Sequence, residues 1–158
     1  MSCVPCCENE DFIPQEELDR WTDSINHVLN NTEGTRRFHE FLVTRGLEES
    51  ELTLEFWERC SRTLNQLTSN GSPPDSRHSI EMMRFHKEVK DLLNFAEENV
   101  NFDLAQMKAF YEAVKSGNED RLKTVVAEAM ESAVSLLDDD YQLFRRHLLR
   151  ERNLLHPR

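Results

Sequence analysis

The sequence has few glycines and prolines and no long apolar run. Four glycines and five prolines occur in 158 residues, of which 31% are charged. Leu, Glu, Ala, Lys and Arg fill long periodic runs, a composition typical of an all-α soluble protein. No segment reaches the roughly 18 consecutive apolar residues of a membrane-spanning helix, and none resembles a secretory signal peptide. We therefore expect an all-α intracellular protein, located in the cytoplasm.

Basic residues are also scarce. Nineteen basic side chains stand against thirty acidic ones, for a formal charge of -11. A chain of this charge is repelled by phosphate backbones, so nucleic-acid binding is not expected. The one basic cluster is RRHLLRER at 145–152. On an amphipathic terminal helix such a cluster is most often a solvated face.

Cysteine is confined to two places. Cys3, Cys6 and Cys7 lie in MSCVPCC, and Cys60 lies alone in a helical pattern. In a reducing cytosol disulfides are not expected, and three cysteines without a nearby histidine do not complete a zinc site. Two interpretations of the three N-terminal thiols stay open: an inert tail, or S-acylation that attaches the protein to the inner face of the plasma membrane. Position 2 is not glycine, which excludes N-myristoylation.

Motifs of catalysis and metal binding are absent from the sequence. The six histidines lie on separate elements without HExxH spacing, and no Gly-rich nucleotide loop or GxSxG motif occurs. The acidic runs EESE and DDD lack the alternating oxygen ligands and central glycine of a calcium loop. We therefore expect no catalytic residue, metal or cofactor, and a function that consists of contact with a partner.

Apolar residues recur at helical spacing after residue 14. Residues 1–14 lack this period, so we expect a flexible N-terminal arm followed by one helical domain over 15–156. Six successive helices are predicted to bury, in order, Leu18, Trp21, Ile25, Val28 and Leu29; Phe38, Phe41 and Leu42; Leu52, Phe56, Cys60 and Leu64; Ile80, Met83, Phe85, Val89, Leu92, Leu93 and Ala96; Met107, Phe110, Tyr111 and Val114; and Leu122, Val125, Val126, Ala129, Ala133, Leu136 and Leu137.

Turn-forming and capping residues predict the breaks between these helices. Asp103 precedes Gln106 by three residues, an arrangement similar to a capping box. The other predicted breaks are Asn30 to Gly34, Gly46 with the acidic link LEESE (47–51), the loop TSNGSPPDS (68–76) with its cap at Asp75 or Ser76, Ser116-Gly117, and Asp138 to Asp140 before a last helix that begins at Tyr141.

Five segments, taken in order, resemble the regulator of G-protein signalling (RGS) domain family. They are RWTDSINHVL, GTRRFHEFL, LEFWERC, the VNFD turn and DDDYQLFRRHLL, and the resemblance covers residues 20 to about 152. It implies a bundle of about eight to nine helices. It also implies a partner, the heterotrimeric G-protein α subunit (Gα), whose GTP hydrolysis such domains accelerate without supplying a catalytic group.

The resemblance further implies three groups of Gα contacts. Asn101 matches the asparagine of the VNFD turn. At the start of the last helix Asp139 matches a family aspartate, Asp140 replaces a serine, and Leu143 stands where many members carry arginine. The third group is a Ser-Glu-Glu-Asn run before the Phe-Trp pair. Here Thr53 takes the place of the asparagine, with Glu49 or Glu51 as the acidic residue.

The divergent 46–57 segment keeps a second interpretation open. In an axin-like domain the same fold binds a short helical peptide, of the SAMP type found in the adenomatous polyposis coli protein, and no GTPase acceleration occurs. A third possibility is a helical interaction domain with neither partner.

Overall fold

The computed structural model describes the backbone of residues 12–68 and 75–155, and the side chains of these residues except 68, 75–78 and 155. Within these ranges the chain is all-helical, without strands, as predicted. Its seven helices are α1 (Gln15–Asp23), α2 (Ile25–Leu29), α3 (Thr32–Arg45), α4 (Glu48–Thr68), α5 (Asp75–Asn99), α6 (Leu104–Ser116) and α7 (Glu119–Leu155). The described residues therefore contain fewer helices than the expected eight to nine.

The chain divides into two compact units. The first contains α1, α2, α3 up to Thr44, and α7 from Asp139 onward, and the second is Arg45–Asp138. Helix α7 is continuous and contributes residues to both units.

Aromatic packing organises the first unit. The ring of Phe144 on α7 stacks on Phe38 at 5.0 Å between centroids, and it lies 5.3 Å from Phe41. Other buried apolar residues of this unit include Leu18, Trp21, Val28, Leu42 and Leu148. Gly34 is required where α3 approaches α1 and α2, because a Cβ there would lie 2.9 Å from both Trp21 Nε1 and the Val28 carbonyl oxygen.

Side chains of α7 cap the C-terminus of α1. The last carbonyl groups of a helix have no partner within it. The Tyr141 hydroxyl donates a hydrogen bond to the Trp21 carbonyl at 2.7 Å, and Arg145 Nε donates to the Thr22 carbonyl at 2.7 Å. Segments more than a hundred residues apart in the chain are thereby joined.

We expect Tyr141→Phe to lower the free energy of unfolding by about 1–2 kcal/mol, because a buried carbonyl loses its donor while packing is kept. Chemical denaturation measures this change. Tyr111→Phe is the matched control, since the same hydroxyl is removed from a side chain that is 44% exposed. An equal loss of stability in both variants would contradict a special role for the Tyr141 bond.

The second unit has a larger apolar core. Phe56 and Cys60 of α4, Val89 and Leu92 of α5, Phe110 of α6 and Val126 of α7 are buried together. Burial raises the pKa of the Cys60 thiol far above its ordinary value. The reactive thiolate is therefore disfavoured at neutral pH, and Cys60 acts as an apolar core residue.

Several predicted boundaries are wrong. Asp138 to Asp140 do not break α7, because aspartate costs a helix only about 0.7 kcal/mol per residue, and buried Leu137 and Tyr141 flank the run. The acidic link LEESE lies largely inside the first turn of α4, where carboxylates interact favourably with the helix dipole. The first predicted helix is divided at Ser24, whose hydroxyl accepts from the Asn26 amide and starts α2.

Some predicted core positions are wrong as well. Ile80 and Met83 are 61% and 72% exposed, since the buried positions described on α5 begin at Phe85. The apolar period thus continues beyond the part of α5 that is packed against the core.

Tyr111 and Leu136 are also exposed, and Leu54 rather than Leu52 is fully buried on α4. Gly34, predicted as a break, lies inside α3.

Candidate functional site

The turn between α5 and α6 holds Asn101 in a fixed backbone. The Val100 amide donates to the Ala96 carbonyl at 2.9 Å, and the Phe102 amide donates to the Val100 carbonyl at 3.0 Å. On the other side Asp103 caps α6, as predicted: its Oδ1 accepts from the Gln106 amide at 2.7 Å. Asn101 therefore lies between two hydrogen-bonded segments. We call residues 100–103 the corner.

Apolar contacts anchor the corner on both sides of Asn101. Val100 is 8% exposed, and the half-buried Phe102 ring meets Phe56 edge-to-face at 5.3 Å between centroids. Asn101 itself is exposed, and within the described residues its amide makes no hydrogen bond. An amide both donates and accepts, so Asn101 presents two kinds of hydrogen-bonding group to a partner.

A surface depression of about 400 Å³ adjoins the corner. It is lined by Glu49, Ser50 and Thr53 of α4, by residues 98–101, and by Leu136 of α7. Its charged groups are the carboxylates of Glu49 and Glu98, and no basic side chain is among its described lining residues. Such a surface can accept hydrogen bonds and contact an apolar group.

Two polar side chains of the depression are already engaged. The Thr53 hydroxyl is buried and donates to the Glu49 carbonyl at 2.8 Å. Asn99 Nδ2 donates to the Phe95 carbonyl at 3.1 Å. Asn101 is therefore the amide of this surface that is left for contact with a partner.

The structure brings together some of the residues predicted as Gα contacts. Asn101, Glu49 and Thr53 line the depression, whereas Glu51 is half-buried on α4 and does not. Asp139 and Leu143 are exposed on α7 and Asp140 is half-buried, all three in the first unit. The predicted acylation sites, Cys3, Cys6 and Cys7, lie outside the described residues, as do the predicted loop at 69–74 and the side chains of Asp75 and Ser76.

Five lining residues are not among the contacts predicted from the sequence: Ser50, Glu98, Asn99, Val100 and Leu136. Ser50 was assigned to a link, although its spacing of three from Thr53 would place both on one helical face. Glu98 and Asn99 directly precede the corner in sequence, and this adjacency could have identified them as part of the site. The apolar period predicts that Leu136 is buried in the core, so the sequence gives no sign of its place at the site.

The part of the chain that is described also bears on metal binding and on membrane spanning. No group of three or more His, Cys, Asp or Glu side chains there is placed to hold a metal ion. None of the described helices has the length and apolar character needed to cross a membrane.

The candidate site is therefore defined by the contacts of the corner and of the depression. Comparison of the chain with models of known families, with curated proteins and with solved structures found no match.

Proposed function

We propose that this chain binds the switch segments of a heterotrimeric G-protein α subunit and accelerates GTP hydrolysis there. The proposal joins the sequence resemblance to RGS domains with the geometry of the corner. Asn101 carries it, because an exposed amide with no hydrogen bond to the described residues is held between two anchored apolar residues beside a polar depression. A side chain needed only for folding would not require this combination of exposure and rigid support.

The acceleration would come from differential binding. A regulator that fits the switch segments better in their transition-state geometry than in their ground state lowers the barrier, and about 1.4 kcal/mol of such difference gives a tenfold rate increase. The Arg and Gln that act on phosphate belong to Gα. The rigid corner suits this role, because a preorganised contact loses little conformational entropy on binding.

The test compares affinity for three states of Gα: bound to GDP, to GDP with aluminium fluoride, and to a GTP analogue. We expect selective binding to the aluminium fluoride state and acceleration of single-turnover hydrolysis, with Gα of the inhibitory or Gq class. The proposal is overturned if Gα of both classes shows no selective binding in the aluminium fluoride state and no acceleration of hydrolysis.

The buried Thr53 favours a second candidate function. Thr53 is 5% exposed, with its hydroxyl donated to Glu49, so this position offers a partner less polar surface than an exposed asparagine would. An axin-like domain that binds a SAMP-type helical peptide needs no Gα contact there. Binding of that peptide without any affinity for Gα would favour this candidate, and the reverse result would exclude it.

A further inference from the structure

Two arginines of the C-terminal basic cluster have no ion-pair partner among the described residues. Within the cluster Arg145 donates to the Thr22 carbonyl, Arg152 contacts the Asp19 carboxylate at 2.9 Å, and His147 contacts Glu151 at 3.1 Å. Arg146 and Arg150 are exposed, and neither has an ion pair or hydrogen bond to the described residues. Neither has a carboxylate three or four positions away on the helix. Their charges are therefore available to a partner.

Exposed leucines flank these arginines on the same face of α7. Leu143, Arg146, Arg150 and Leu154 are spaced by three, four and four residues, which aligns them along one side of a helix. Leu143 is 38% exposed and Leu154 is 81% exposed. We call these four residues the α7 stripe. At about 1.5 Å per residue it is roughly 16 Å long.

Charge along the chain sets this segment apart. Residues 143–154 contain four arginines and one glutamate, in a protein whose formal charge is -11. Positive charge concentrated on one helix end, with exposed leucines beside it, complements a surface that is anionic and has an apolar layer beneath.

We infer that the α7 stripe docks on an anionic phospholipid surface. Arg146 and Arg150 would contact lipid phosphate groups, and Leu143 and Leu154 would enter the boundary between headgroups and acyl chains. The long arginine side chains can reach phosphate groups while the leucines of the same face contact acyl chains. This inference involves neither Asn101 nor the depression. It shares with the proposed function only Leu143, a Gα contact implied by the resemblance, and the vesicle experiment below contains no Gα.

Vesicle sedimentation tests this docking with unacylated protein from a bacterial host. We expect binding to vesicles of phosphatidylcholine with about one third phosphatidylserine, little binding to pure phosphatidylcholine, and weakening by salt. Replacing both arginines (Arg146→Gln with Arg150→Gln) should lower the partition coefficient about 30-fold, or about fivefold for each arginine. Leu154→Ser should lower it independently of salt, because it removes apolar contact rather than charge.

The control variant also loses two positive charges, from arginines that lie in the first compact unit like the α7 stripe. Arg20 and Arg36 are ion-paired with Glu17 and with Glu33 and Glu40, and Arg20→Gln with Arg36→Gln should leave most of the binding intact. Equal losses in the two double variants would mean that net charge alone acts, and would overturn the inference. Failure of the unmodified sequence to bind phosphatidylserine vesicles would overturn it as well. Circular dichroism confirms that each variant is folded.

Discussion

Replacing Asn101 by alanine should weaken binding to the aluminium fluoride state of Gα by about 2–3 kcal/mol, or roughly 30- to 150-fold. The exposed amide is the unengaged polar group of the corner, so its removal takes away contact without disturbing the core. The thermal midpoint of unfolding should stay within about 2 °C of its original value, as is usual for surface substitutions. Titration calorimetry and thermal melting give the two measurements.

Asn94→Ala is the matched control for this result. Asn94 is also an exposed asparagine, on α5, and it does not line the depression. We expect this variant to bind Gα normally. If Asn101→Ala instead unfolds readily while Asn94→Ala does not, Asn101 is a structural residue and the contact assignment loses its main support.

Phe56→Ala should lower the free energy of unfolding by about 3–5 kcal/mol, the usual cost of truncating a buried aromatic residue. Phe56 is fully buried and meets Phe102 of the corner edge-to-face. Its loss removes core packing and also the support under Asn101. Chemical denaturation measures the first effect, and affinity for Gα in folded protein at low temperature measures the second.

Phe12→Ala provides the comparison, because the same side chain is 51% exposed at that position. We expect it to cost less than about 1 kcal/mol. Should folded Phe56→Ala bind Gα with unchanged affinity, the corner does not depend on its aromatic support, and rigidity is not what makes Asn101 effective.

Local signals predicted the helix ends that depend on one or two residues. Gly46 and Gly117 follow α3 and α6 at φ 69° and 64°, a region that glycine enters without strain, and Asp103 caps α6 through a bond three residues away. The prediction failed where long-range packing competed with local preference. Three consecutive aspartates look like a break, yet the helix continues between buried Leu137 and Tyr141.

The candidate site was also predictable only where it depends on residues close together in the sequence. Asp103 and Gln106 predict a helix start just after Asn101, and the resemblance to RGS domains makes that asparagine a candidate contact. The acidic segment before Phe56 could not be placed correctly without the finding that it already belongs to α4. Glu49 and Thr53 then share a helical face, and α5 brings Glu98 beside them.

The amino-acid sequence by itself determined the all-helical class, the apolar period of most helices and the capped corner at Asn101, because these depend on contacts within about four residues. Only the tertiary structure decided which apolar positions are covered, that α7 runs through the aspartates, and that Thr53 is buried. It also decided that Arg146 and Arg150 make no ion pair with the described residues. These outcomes depend on neighbours distant in sequence, since burial and ion pairing are set by what packs against a helix and not by the helix alone.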